Sequence, residues 1–105
     1  MVREILNESG IIYRKSRFLK PPKGTYAVYD DDIETFGGDN IVLGYQHQIT
    51  IELYSPTPDE NAEKVLESII TSKGLQWHKQ SRFWLKDEEL YQTIYEFDYY
   101  MKKKQ

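Results

Sequence analysis

The chain has 105 residues, 39% of them hydrophobic, 30% charged and 14% aromatic, a balance that excludes disorder and suits one core burying roughly 65% of the unfolded surface. It contains no cysteine, which excludes a disulfide framework, a thiol nucleophile and a thiolate metal site and suits a reducing cytoplasm. The formal charge of -3 is unevenly spread: residues 1–25 carry six basic and two acidic side chains, residues 26–67 one and ten, and residues 68–105 seven and five. The acidic middle disfavours wrapping around nucleic acid; it suits head-to-tail contact between copies and equally a solvated surface whose charge is segregated by chance.

Val2, Ile5 and Leu6 stand at helical spacing and the pattern stops near Gly10, so a short N-terminal helix is predicted over residues 2–8. Residues 11–18 read as an edge strand, apolar first and then basic at Arg14, Lys15 and Arg17, stopped by Pro21 and Pro22. Residues 25–29 form a second strand. Residues 30–40 read as an acidic, glycine-containing loop carrying Asp30, Asp31, Asp32, Glu34 and Asp39. No run approaches the ~20 apolar residues of a bilayer span, and the start lacks the apolar core of a secretory leader, so a soluble, unprocessed chain is expected.

The strand over residues 45–54 has the cleanest alternation. Tyr45, His47, Ile49, Ile51 and Leu53 fall on one face, and Gln46, Gln48, Thr50, Glu52 and Tyr54 on the other. A long amphipathic helix is predicted over residues 58–73, with Thr57 as its cap, Pro58 in the first turn and Glu60 completing a capping box. Its stripe is Ala62, Val65, Leu66, Ile69 and Ile70, and Gly74 supplies a left-handed stop. Two more strands follow, over residues 76–85 and 90–99, joined by a turn at Lys86-Asp87-Glu88, and the basic tail 102–105 is expected to fray. The apolar area on both faces of the last strand marks it as central or as a subunit contact. The sum is one α+β domain over residues 1–105: a mostly antiparallel sheet of four to five strands, one long helix on one face and a short N-terminal helix.

Catalytic and ligand readings find little support. The acidic loop lacks the D-x-[DN]-x-[DN]-G spacing of a calcium loop and reads as a solvated turn. His47 and His78 form no ligand pair, and His47 on an apolar face reads as a satisfied or rim histidine. No phosphate loop or nucleophile elbow is present, and Glu52 has no lysine beside it on its strand for a nuclease site. The strand motif of RNA-stacking modules is absent, so Trp77, Phe83, Tyr95 and Phe97 are assigned to core and interface packing. No enzyme activity, cofactor, metal, nucleic acid or membrane partner is expected.

Several segments together resemble a family: Lys20-Pro21-Pro22 followed by Tyr26-Ala27-Val28-Tyr29, then Thr35-Phe36-Gly37-Gly38-Asp39-Asn40, Gln48-Ile49-Thr50-Ile51-Glu52-Leu53-Tyr54, and the closing Glu89-Leu90-Tyr91-Gln92-Thr93-Ile94-Tyr95-Glu96-Phe97. They are similar to the small tail-completion, or tail terminator, proteins of siphophages and prophages of Gram-positive bacteria. The resemblance implies an α+β protein that assembles as a homo-oligomer, typically a hexameric ring, on the last ring of the tail tube. Such a ring halts tube growth and presents a surface to the head connector. The partners implied are further copies, the tail tube protein and the head connector protein; the location is the host cytoplasm during assembly and then the virion. The isolated chain is expected to stay monomeric until the tube templates the ring. The interface assigned on this reading is Arg14 and Arg17 of one copy against Asp30, Asp31, Asp32, Glu34, Phe36, Gly37, Gly38 and Asp39 of the next. The alternative is a small cytoplasmic adaptor, or another head-tail connector protein, that holds a protein partner through the same loop.

Overall fold

In the computed structural model, which describes residues 1–103, two helices cover one face of a six-stranded mixed sheet. Lys104 and Gln105 of the basic tail lie outside the described residues. The order of elements is α1 (Val2–Ser9), β1 (Ile12–Lys15), β2 (Tyr26–Gly38), β3 (Ile41–Ser55), α2 (Glu60–Ser72), β4 (Trp77–Lys79), β5 (Phe83–Leu85) and β6 (Leu90–Lys102). Across the sheet the order is β1-β2-β3-β6-β4, and β5 pairs with β6 further along the same edge.

The N-terminal helix forms as its spacing predicts and ends at Gly10, whose φ of 74° is the left-handed stop that a side chain would strain. Ser9 donates to the Leu6 carbonyl and accepts from the Ile11 amide, and Tyr13 donates to Asn7, so α1 is tied to the strand after it. That strand, β1, pairs parallel with β2. The sheet is therefore mixed, and β1 ends at Lys15 well before the prolines.

The largest departure from the sequence reading lies at residues 30–40. The expected loop is a strand: β2 continues to Gly38, and β3 begins at Ile41 rather than at residue 45. Gly38 pairs with Ile41, leaving Asp39 and Asn40 as a two-residue turn with φ of 51° and 66°, the doubly left-handed geometry that matches strand twist. Three consecutive aspartates are poor strand formers, but pairing with β3 along the whole hairpin outweighs that preference. Gly37 is required where it stands, because a Cβ there would lie 1.8 Å from the Ile41 carbonyl oxygen.

The core lies between the helices and one face of the sheet. Ile5, Leu6, Leu66 and Ile70 meet Ala27, Tyr29, Ile49, Ile51, Leu53, Tyr95 and Phe97. These strand residues are the odd-numbered face the alternation assigns inward, and β6 is central, between β3 and the β4/β5 edge. The predicted long helix is 13 residues, Glu60–Ser72, too short to span the sheet alone. α1 packs beside it on the same face, and Lys73 joins them by donating to Glu8 at 2.8 Å. The expected single strand over residues 76–85 is two short strands: Gln80 still donates to the Ile94 carbonyl of β6, and the chain then leaves the ladder where Arg82 reaches Glu63 of α2.

The helix cap also differs from expectation. Thr57 lies outside, and Asp59 caps instead, accepting from the Ala62 amide at 3.0 Å and from the Thr25 hydroxyl at 2.6 Å. These two hydrogen bonds hold the Asp59 carboxyl below its ordinary range. Asp59→Ala is expected to lower stability by about 1 kcal/mol in urea unfolding and Thr57→Ala by a few tenths; equal effects would contradict the observed cap.

A candidate assembly surface

Residues 32–38 of β2 and 41–47 of β3 run beyond the helices together with the end of β6. At about 3.3 Å per residue this arm projects roughly 20 Å, and the molecule measures 50 × 28 × 22 Å. Every interface residue assigned from the acidic segment lies on the arm or at its root. They are not equivalent, because a strand turns successive side chains to opposite faces.

Asp31 lies on the helix-bearing face at the root. Its carboxylate bonds His47 Nδ1 at 2.9 Å and 3.0 Å, and His47 stacks on Tyr99 with ring centroids 4.5 Å apart. His47 is thus a satisfied histidine at the rim of the core, and Asp31 is occupied within its own chain. Asp30, Asp32 and Glu34 lie on the opposite, helix-free face, where the registers bring Glu52, Glu96 and Asp98 alongside them. Asp30 accepts from the Ser16 hydroxyl at 2.9 Å, whereas Asp32 and Glu34 are exposed. Gly37, Gly38 and Asp39 form the tip.

Phe36 packs on Tyr100 at 4.6 Å, and Tyr100 lies over Gly44, where a Cβ would meet its ring at 2.4 Å. An open groove of about 390 Å³ is lined here by Phe36, Ile41, Val42, Leu43 and Tyr100, with Lys102 and Lys103 on its β6 side. Ile41 is 59% exposed and Leu43 51%. The sequence reading names Phe36 but misses Ile41, Leu43 and Tyr100, since a segment taken for a loop hides the pairing that gathers them. The signal available was the apolar triplet Ile41-Val42-Leu43 directly after the Asp39-Asn40 turn.

The basic half of the assigned interface lies at the far side of β2. Arg14 sits on edge strand β1 with its guanidinium over the Phe18 ring at 5.9 Å, and Arg17 follows the strand. Between Arg17 and Lys20, Leu19 is 89% exposed. Among the described residues, none of Arg14, Lys15, Arg17, Lys20 and Lys23 takes part in a salt bridge, and neither do Asp30, Asp32, Glu34 and Asp39. The fold brings the two assigned groups into one sheet without pairing them.

The ion pairs that do form fasten the body. Glu63 on α2 is 6% exposed at its side chain and receives Lys79 at 2.9 Å and Arg82 at 2.9 Å, with Thr93 of β6 behind it. Burial pushes the Glu63 carboxyl up, and the hydrogen bonds from Lys79 and Arg82 outweigh it, leaving it below the usual carboxylate range. Tyr95 is raised by burial and by its 2.6 Å hydrogen bond to Glu67. Among the described residues no group of three or more His, Asp or Glu is placed to hold a metal ion, and no helix is long and apolar enough to cross a membrane.

No protein-family model matches the chain, and no curated protein matches it. Among solved structures, it is similar to a chain of a structure described as the virion of a native gene transfer agent particle. The match has a TM-score of 0.62 at 11% identity and covers 94% of this chain and 84% of that one. At that identity the likeness is one of fold.

Proposed function

We propose that this chain is a structural component of a phage-type particle, a tail terminator that closes the growing tail tube as a hexameric ring and joins it to the head connector. The observation that carries the reading is the shared fold with a chain of a gene transfer agent virion, over nearly the whole length of both. It agrees with the resemblance of the Lys20-Pro21-Pro22, Gln48 to Tyr54 and Glu89 to Phe97 segments to tail-completion proteins. A projecting arm and a basic edge, each with charges that form no salt bridge among the described residues, support an assembly role without catalysis. The partners are further copies of the chain, the tail tube protein and the head connector protein, and the chain acts in the host cytoplasm before it enters the virion.

The test is electron microscopy of the purified protein added to tail tubes that are still elongating. Rings at one tube end and an arrested length distribution are expected. Tubes that keep growing with undecorated ends would refute the terminator role and leave the adaptor alternative, in which the arm holds a single protein partner.

A further inference from the structure

We propose that the contact between copies is a head-to-tail insertion, in which Leu19 of one copy enters the arm groove formed by Phe36, Ile41, Leu43 and Tyr100 of the next. This deepens the reading above and rests on it for closure into a ring; the pairwise contact rests on geometry and charge.

Leu19 is the most exposed of the large hydrophobic residues at 89%, and a leucine held out between two cations gains nothing from its own fold. The groove on the arm is the complementary shape, an open apolar concavity of about 390 Å³. Its flanks differ in sign. The charged side chains that line it are Lys102 and Lys103, whereas Glu34 stands just outside it, two residues before Phe36 on the same face of β2, so a basic segment is drawn to the Glu34 end and repelled on the β6 side. Arg17 and Lys20 bracket Leu19 in the sequence, so seating the leucine brings both cations to the groove rim.

The same charges argue against a symmetric contact. Two arms laid face to face would oppose Asp32 and Glu34 with themselves, and two basic edges would oppose Arg14, Lys15 and Arg17. A heterologous contact satisfies both sets at once. It uses one knob and one groove per copy, which is the condition for a chain of copies to close on itself.

The absence of cysteine makes the contact directly testable. Leu19→Cys and Leu43→Cys are prepared separately, mixed, and oxidised mildly at moderate salt. A covalent dimer that grows no further is expected from the mixture, because each variant supplies one reactive end, and a ladder of covalent oligomers is expected from the double variant. Glu34→Lys in the Leu43→Cys partner should reduce dimer yield about tenfold, and Arg17→Glu in the Leu19→Cys partner should restore it. As control, Ser68→Cys on the exposed side of α2 replaces Leu43→Cys.

Covalent dimer from Leu43→Cys alone at the yield of the mixture would mean that arms meet arms and would overturn the proposal. So would a mixture yield no greater than the Ser68→Cys control. Trapping is run on the free protein and on tail tubes: failure in both beside normal tube arrest would reject this contact alone, and success beside unaffected tubes would reject the terminator role alone.

Discussion

Replacing both Lys79 and Arg82 with alanine is expected to destabilise the fold by about 3 to 5 kcal/mol, whereas Glu63→Gln should cost less than half of that. The asymmetry follows from burial. The Glu63 side chain is 6% exposed, while Lys79 and Arg82 are 33% and 29% exposed. Removing the cations strands a carboxylate against the sheet; removing the carboxylate leaves two cations that water can reach. The pH dependence should differ in sign as well. In the natural chain the Glu63 carboxyl is held below its ordinary value of 4.5, so its contribution is complete above that pH and is lost as pH falls through the folded value. Without Lys79 and Arg82 burial alone pushes it up, and the variant should gain stability as the solution is acidified toward that range. Urea unfolding between pH 4 and 7 measures both effects; parallel curves for the two proteins would remove Glu63 from its assigned place.

Leu66→Ala is expected to cost about 3 kcal/mol, because the side chain is fully buried between α2 and the sheet and its removal leaves a cavity. Leu43→Ala removes the same atoms from an exposed arm site and should change stability by about 0.5 kcal/mol or less. The order inverts in the tube-arrest assay once each protein is held below its own melting temperature: Leu66→Ala should still arrest growth, and Leu43→Ala should not. If Leu43→Ala melted like Leu66→Ala, the arm would belong to the cooperative body rather than to a surface.

What could be read from the sequence depends on whether a pattern was local. The α1 spacing, the inward face from Ile49 to Leu53 and the Gly74 stop are all set within one element by side-chain period or backbone conformation, and all three hold. The strand through Asp30, Asp31 and Asp32 is not local. It exists because residues 41–50 pair with it, and composition pointed the other way. Asp59 displaced Thr57 for a related reason, since the Thr25 hydroxyl steadies its carboxylate from another part of the chain. For the surface, Arg14, Arg17 and Phe36 were visible as residue types, whereas Leu19 at its 89% exposure and Tyr100 beside Leu43 became visible only through the fold.

The central place of β6 bears on how the protein is made. Residues 90–102 fill the gap between β3 and the short strands β4 and β5, yet they are translated after every other strand. Until they leave the ribosome, β3 carries an open edge of 15 residues beside the β2 hairpin, and an unpaired edge of that length invites pairing with another chain. The Asp30 to Glu34 run on the neighbouring strand then has a second value, as charge repulsion between nascent chains during synthesis. A chain ended before residue 90 should therefore collect in aggregates rather than persist as a smaller folded unit.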